Sequence, residues 1–423
     1  MTLYWFLLVV SSLALGSLPA GEVATQRCLV ACAMLLSAWI LLSQIAGTTA
    51  RRVTLAGFDE LSVARMFERQ LDLFRWLGLA ISAVCLVGFR LAADVKTWPV
   101  FDSSMTLQSI VLLTPGILLT ASIWISEHRF GIAMGYVKSR GWRTIGELAS
   151  ALLATGGWIL IPVFLILTST DLLRLSGLFE QQTASAIVSV LTIVCVPMLL
   201  PLIMSKAWKT RAIADAECDW MTKFLVNCGA KTLPICIWDT GMQSYNAVVV
   251  GFLPGLRSLF VTDRLLVEMP SQQLAMVILH EIAHVQRFHV WLRMLSLVPS
   301  WAGAAFVAAM FPSSPVVTAA SNLTAIAMTL MTLRWVAHRT EYDADKWACM
   351  KSLQMPAEHQ PPKDHEEAAT RYGDALRWVT RLEHSPDKAS WLHPSIDDRC
   401  ERLIRWACNG KTKNLASAGF LNH

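Results

Sequence analysis

Charge is what this sequence has least of. Asp, Glu, Lys and Arg make up 16% of its 423 residues, against roughly 25% in ordinary globular chains. Hydrophobic residues make up 54%. No water-facing surface can be built around that proportion, so much of the chain is expected to face lipid. The same composition excludes intrinsic disorder, a collagen-like chain and a small disulfide scaffold. The 10 cysteines contain no CxxC pair, and the usual ligand spacings of a structural zinc knuckle are absent. Cys28, Cys32, Cys85 and Cys195 fall in apolar runs, where Cys packs as a small hydrophobe. Cys218, Cys228, Cys236, Cys349, Cys400 and Cys408 fall in segments expected in the cytosol, where thiols stay reduced. The start Met1-Thr-Leu-Tyr-Trp5 lacks a basic region. Despite Ser17-Leu-Pro-Ala20, which resembles a cleavage site, an uncleaved helix is expected there. No internal repeat is present.

What the chain does have is apolar runs near the length of about 20 residues that a bilayer core requires. There are eight, at Leu3–Ala20, Cys28–Ile45, Trp76–Ala93, Met105–Ile125, Leu148–Leu167, Ala184–Ile203, Leu295–Phe311 and Val316–Val336. Arg90 and Arg293 encroach on the third and seventh. Trp76, Trp124, Trp208 and Trp335 lie near run ends, where interfacial aromatics belong. Alternate connections are basic: Arg51, Arg52, Arg65, Arg69 and Arg75; then Arg129, Lys138, Arg140 and Arg143; then Lys206, Lys209 and Arg211. The intervening ones are poor in Lys and Arg. By the positive-inside rule both termini are expected in the cytosol. That topology explains the net charge of +5, and no nucleic-acid partner is called for.

Two polar segments remain, Ser205–Val290 and Ala337–His423, both on the cytosolic side of this scheme. The first holds strand-like runs at Pro234–Trp238, Ala247–Val250 and Leu259–Thr262, then a helical pattern from an N-cap at Ser271 to about Phe288. The second reads as mostly helical, interrupted by a loop at Met355–Asp364.

The chemistry sits in these segments. In His280-Glu281-Ile282-Ala283-His284, residues four apart share a helix face, so two imidazoles can hold one metal ion. Glu281 stands beside them as a base toward water. The bland alternative is a membrane-proximal helix with incidental histidines. Against it stands Glu341-Tyr-Asp-Ala-Asp345 in the first polar helix after the chain leaves the membrane. Glu341 is a candidate third ligand, and Asp345 a candidate partner for the other nitrogen of a ligand histidine. An edge strand at Asn246 and Ala247 can pair with an extended peptide. His393 and Arg399 can donate to an oxyanion. His289, His359, His365 and His384 read as ordinary solvated residues.

These strings together resemble the membrane zinc metallopeptidases that include the CAAX prenyl endopeptidases and the heat-shock protease HtpX. His280-Glu281-x-x-His284 is similar to that family's zinc helix, and Glu341-x-x-x-Asp345 to its third-ligand helix. His393-Pro394 with Arg399 is similar to its C-terminal element, and Asn246-Ala247-x-x-x-Gly251 to its substrate strand. His338 stands where relatives often carry Arg. The six preceding spans exceed the two of HtpX, so the resemblance says little about residues 1–205.

The resemblance and the residues imply one reading. The fold is expected to be mainly α, a polytopic membrane bundle of about eight spans with a cytosolic α+β zincin-like metalloprotease domain. Residues 1–205 would form six spans, and 206–290 the first part of the protease domain. Residues 291–336 would form a transmembrane hairpin, and 337–423 the second part. The expected activity is zinc-dependent peptide hydrolysis at the cytosolic face of a bacterial inner membrane. One zinc per chain would be held by His280, His284 and Glu341, with Asp345 behind them and Glu281 as base. His393 and Arg399 would stabilise the transition state, and Asn246 and Ala247 would bind a peptide or membrane-protein substrate. Two other readings are a signal transducer of the antibiotic-sensor type and an inactive membrane scaffold. The first calls for an extracytoplasmic sensor domain that these short outer loops do not provide. Ser385-Pro-Asp-Lys388 mimics a penicillin-binding motif, with too little chain around it.

Overall fold

The computed structural model describes residues 2–419 apart from 17–26, 58, 135–142, 178–180, 214, 232, 241, 243, 252, 312 and 382–388. The chain divides into two compact units, Met1–Val196 and Pro197–His423. The first unit is helical: α1 (Thr2–Gly16), α2 (Arg27–Leu55), α3 (Glu60–Ala83), the short α4 (Leu91–Asp94) and α5 (Pro99–Asp102), α6 (Met105–Ala133), α7 (Arg143–Ala154) and α8 (Leu160–Leu175). The helix α9 (Gln181–Ala207) carries the chain into the second unit.

Helices in an apolar solvent gain little from burying more apolar surface, so close packing and hydroxyl hydrogen bonds decide where they meet. In the first unit α6 receives those contacts. Gly116 lets Leu8 approach so closely that an added Cβ would lie 2.0 Å from its Cδ1. Tyr4 Oη lies 2.9 Å from Thr120 Oγ1, and Ser43 Oγ lies 2.5 Å from Ser122 Oγ. The start of α6 is capped by Asp171, whose carboxylate accepts from Ser104 Oγ and the Met105 and Thr106 amides at 2.7–3.0 Å. A carboxylate there satisfies orphan amides and complements the helix dipole.

Five helices among the described residues are long and apolar enough to cross a membrane: Cys28–Leu55, Ser62–Gly88, Met105–Ala133, Gly157–Leu175 and His289–Met310. The expected total of eight is not confirmed among these residues. The first expected run extends past α1 into residues that are not described, and Tyr4–Gly16 and Met198–Ala207 are shorter apolar helices. Two run boundaries are corrected. The run Trp76–Ala93 breaks after a π-turn at Val84–Gly88, because Arg90 adopts a left-handed conformation, φ 62°. The run Leu148–Leu167 breaks at Gly156, φ 134°, and its apolar stretch restarts at Gly157. The string Ser17–Ala20 lies outside the described residues.

The second unit carries a four-stranded sheet in the order β1-β2-β4-β3, from β1 (Thr210–Ala212), β2 (Ile235–Trp238), β3 (Ala247–Val250) and β4 (Ser258–Thr262). β2 and β4 run parallel, and β1 and β3 pair antiparallel to them. Three strands match the sequence expectation; β1 was not anticipated. The helices are α10 (Asp215–Asn227), α11 (Asp263–Glu268), α12 (Ser271–Gln286), α13 (His289–Leu295), α14 (Val298–Met310), α15 (Pro315–Ser352), α16 (His365–Thr380) and α17 (Ile396–Gly419).

α12 begins one residue differently than expected. Pro270 takes the cap position, and Ser271 is the first helical residue, with no side-chain cap. Leu274, Ile278, Leu279 and Ile282 bury the helix among Phe224, Leu259, Val261 and Tyr372. Each such aliphatic side chain is worth about 1.5–3 kcal/mol when removed from water. The long α15, about 57 Å by helical rise, starts at a Ser314 cap and carries residues 337–352 into this core. Asp364 caps α16 by accepting from the Glu366 and Glu367 amides.

Candidate metal centre

Burial of one face of α12 turns His280 and His284 toward α15, with their Nε2 atoms 3.1 Å apart. Glu341 of α15, 1% exposed, brings Oε2 within 3.4 Å of His280 Nε2 and Oε1 within 3.4 Å of His284 Nε2. The three side chains form a group able to hold a metal ion, with ligand atoms all within 4.8 Å of one another. Glu341 Oε2 is buried and accepts no well-formed hydrogen bond. Two facing imidazole nitrogens with an orphaned carboxylate oxygen between them are a donor set suited to a cation.

The ionisable groups of the cluster shift one another strongly. Burial lowers the pKa of His280, but the carboxylates of Asp345 and Glu341 outweigh it and raise it to about 9. Burial takes His284 down to about 4. Burial opposes ionisation of Glu341, yet His280, His284 and His393 together hold its pKa well below the usual carboxylate range.

Behind His280 lies a closed network. Asp345 Oδ1 sits 3.0 Å from His280 Nδ1. Tyr372 of α16 donates to Asp345 at 2.6 Å, with its hydroxyl 2.8 Å from His280 Nδ1. Arg399 of α17 grips Asp345 through Nε at 2.8 Å and Nη2 at 2.5 Å, and donates to Tyr372 at 3.0 Å. Arg399 is therefore buried and already engaged, with Nη2 3.6 Å from Glu341 Oε2. Its guanidinium backs the ligand shell, so it is not an exposed donor.

Glu281 points to the other side of the centre, where Oε2 accepts the Val249 amide of β3 at 3.2 Å. Burial pushes its pKa above the ordinary carboxylate value. β3 is the sheet edge next to β4, in the register Ala247↔Val261 and Val249↔Leu259. The Thr262 amide donates to Asn246 O at 3.0 Å. By alternation, Asn246, Val248 and Val250 face β4 with their backbone groups, while Ala247 and Val249 turn theirs to the open edge. Asn246 is exposed, as a residue at a substrate edge needs to be. His393 reaches the centre from the segment before α17: its side chain is 55% exposed and Nδ1 lies 3.1 Å from Glu341 Oε2.

Three polar residues at the centre, Tyr372, Arg293 and His289, escaped the sequence reading. Tyr372 carries no spacing signal, since it comes from a helix far along the chain. Arg293 of α13 donates to Glu341 Oε1 at 2.9 Å and to Thr340 Oγ1 at 2.7 Å. His289, expected to be solvated, is 2% exposed. Its Nδ1 meets His284 Nδ1 at 3.0 Å, and its Nε2 meets Asp343 Oδ2 at 2.9 Å. Burial wins there because Phe288 adopts φ 55° and folds His289 back beneath α12. His359 packs edge-on against Phe224, and His365 against Trp406. His384 and the string Ser385–Lys388 lie outside the described residues.

A His-Glu-x-x-His helix joined by a glutamate from a later helix is a donor arrangement suited to a divalent metal ion. Residues 226–407 match the sequence model of peptidase family M48. Among solved structures, that of S. mikatae Ste24p aligns with 90% of this chain and 100% of its own. The identity is 12% and the TM-score 0.42. None of the curated proteins matches the chain in sequence.

Proposed function

We propose that this protein is a zinc-dependent membrane endopeptidase acting at the cytosolic face. The observation that carries the reading is the convergence of His280, His284 and Glu341 with Glu281 set between them and the open edge of β3. His280, His284 and Glu341 would hold the zinc, with Asp345 fixing the His280 ring. Zinc in such a site supplies Lewis acidity toward a peptide carbonyl and acidifies water.

The chain's own residues do the rest. An extended peptide would pair with the outward backbone groups of Ala247 and the Val249 carbonyl, with Asn246 at the start of the strand. Glu281 takes a proton from the attacking water and returns it to the leaving amine, so the peptide bond is replaced by a carboxylate and a free amine. His393 donates to the carbonyl oxygen as charge builds on it. Arg399 serves that chemistry by holding Asp345. The partners are a peptide or membrane-protein substrate and the bilayer. The loop charges favour cytosolic termini, as in a bacterial inner membrane, with the segments 1–205, 206–290, 291–336 and 337–423 divided as above. An inactive scaffold is disfavoured, because ligands and base are held together by buried contacts that a dead site has no reason to keep.

The test is zinc content and cleavage on one detergent preparation. About one zinc per chain is expected, lost in His280→Ala and Glu341→Ala. Glu281→Gln should keep zinc while hydrolysis falls by roughly 10²–10⁴-fold. Full zinc occupancy in both ligand variants, or near-normal cleavage by Glu281→Gln, would overturn the reading. For orientation, Ser314→Cys should react with an impermeant thiol reagent from outside and Ser390→Cys should not.

A further inference from the structure

α15 places carboxylates three ways around the two histidines. Glu341 faces their Nε2 atoms, and Asp345 sits directly behind the Nδ1 of His280. Among the described residues, no carboxylate lies at that distance behind the Nδ1 of His284. His289 stands there instead, and Asp343 of α15 stands behind His289. Asp343 is in turn fixed by Arg287 at the end of α12, through Nε at 2.8 Å and Nη2 at 3.1 Å.

A ligand histidine that binds through Nε2 must carry its proton on Nδ1, and that proton needs an acceptor. Only one hydrogen fits between two Nδ1 atoms 3.0 Å apart. If His284 donates it, His289 accepts at Nδ1 and carries its own proton on Nε2. That Nε2 lies 2.9 Å from Asp343 Oδ2, the acceptor it requires. Both rings then have one consistent tautomer, from a charged carboxylate through two imidazoles to the ligand nitrogen. The almost complete burial of His289 removes water as a competing partner.

We propose that His289 and Asp343 are positioning residues of the metal centre, relaying through His289 to His284 the orientation that Asp345 gives His280 directly. The relay rests on the proposed zinc site, and it makes α13 part of that site. α13 opens the membrane-spanning candidate His289–Met310. Its Arg293, one turn on from His289, holds Glu341. The two ligands are thus tied to the first turns of a span.

The experiment measures zinc affinity by chelator competition, with metal-free melting temperature beside it. The proteins are the full-length wild type, His289→Ala, His289→Gln, Asp343→Asn, the pair His289→Ala with Asp343→Asn, and His280→Ala as reference. Loss of an outer partner of a ligand weakens metal binding by about 10–100-fold. That loss is expected in His289→Ala and Asp343→Asn, and the double variant should be no weaker than the worse single one. His289→Gln, whose amide can accept from His284 and donate to Asp343, should recover part of it. Should His289→Ala fail to fold, Asp343→Asn and His289→Gln still report on the relay.

Wild-type affinity in Asp343→Asn and His289→Gln alike would overturn the proposal. So would fully additive losses, or losses that follow the metal-free melting temperature. A wild type that binds no zinc, or a His280→Ala that binds it equally well, would overturn the metal site itself and the relay with it. Tight zinc in the wild type with unchanged relay variants would overturn the relay alone.

Discussion

In the first unit, hydroxyls meet hydroxyls across helices, Tyr4 with Thr120 and Ser43 with Ser122. In the second, Asp345, Arg399 and Glu341 crowd two imidazoles at 8% exposure or less. A neutral hydroxyl pair is cheap to bury and does little beyond fixing how two helices meet. Each buried charge costs several kcal/mol in lost solvation, and its partners only roughly offset that. A fold that retains such a cluster gains an organised field for chemistry. The same physics makes the charged cluster of the second unit more fragile to single substitutions than the hydroxyl pairs of the first.

The sharpest way to test that contrast is Arg399→Ala. Removing one partner of a buried pair leaves the other uncompensated, at a cost of about 3–5 kcal/mol. Asp345 and Tyr372 would both lose a donor, so activity and thermal midpoint should fall together. A variant that melts like the wild type but has lost kcat would show Arg399 acting on substrate, as the sequence suggested. His393→Ala is expected to separate the same two quantities. Its side chain is 55% exposed, so its removal uncovers little and the thermal midpoint should hold. Loss of an oxyanion donor costs roughly 10²–10³-fold in kcat. A fall confined to KM would instead make His393 a binding residue.

An intermediate effect is expected where the first unit is packed most tightly. Gly116→Ala puts a methyl 2.0 Å from Leu8 Cδ1 and 3.0 Å from its Cγ. Leu8 is fully buried and has little room to move. Overpacking of this kind costs about 1–3 kcal/mol, read as a lower unfolding midpoint in detergent. A neutral result would mean that α1 and α6 slide apart at little cost.

How legible the two regions were follows from the same difference. The face of α12 is periodic, so His280, Glu281 and His284 could be placed on one helix from spacing alone. Glu341 and Asp345 repeat that spacing on α15. Three strands announced themselves by branched and aromatic runs between Gly and Pro. Tertiary return of the chain was not legible. His289 lies five residues after His284, a separation no helix puts on one face, and only the left-handed turn at Phe288 brings it back. Tyr372 and Arg293 arrive from other helices, and no local pattern signals them. In the first unit, hydropathy found four runs that form helices long enough to span, among the described residues, but misplaced two boundaries. Apolar content is blind to the backbone conformations at Arg90 and Gly156 that end a helix.

The smallest expected effect is the most informative about the neutral side of the contrast. Ser122 Oγ lies 2.5 Å from Ser43 Oγ and is a longer contact, 3.4 Å, for Gln44 Nε2. Neither neighbour depends on it. Ser43 Oγ also donates to Ile40 O at 2.8 Å, and Gln44 Nε2 also donates to Ser122 O at 2.9 Å, a backbone atom that substitution leaves in place. Ser122→Ala should therefore cost only about 0.6 kcal/mol, the average for hydrogen bonds between membrane helices. A cycle with Ser43→Ala isolates the pair: the coupling energy should be of that same size, with activity and zinc content unchanged. A coupling above about 2 kcal/mol would exceed the largest values usual for such pairs. It would mean that the first unit, too, stakes its stability on single polar contacts, and the division of labour argued between the two units would fail.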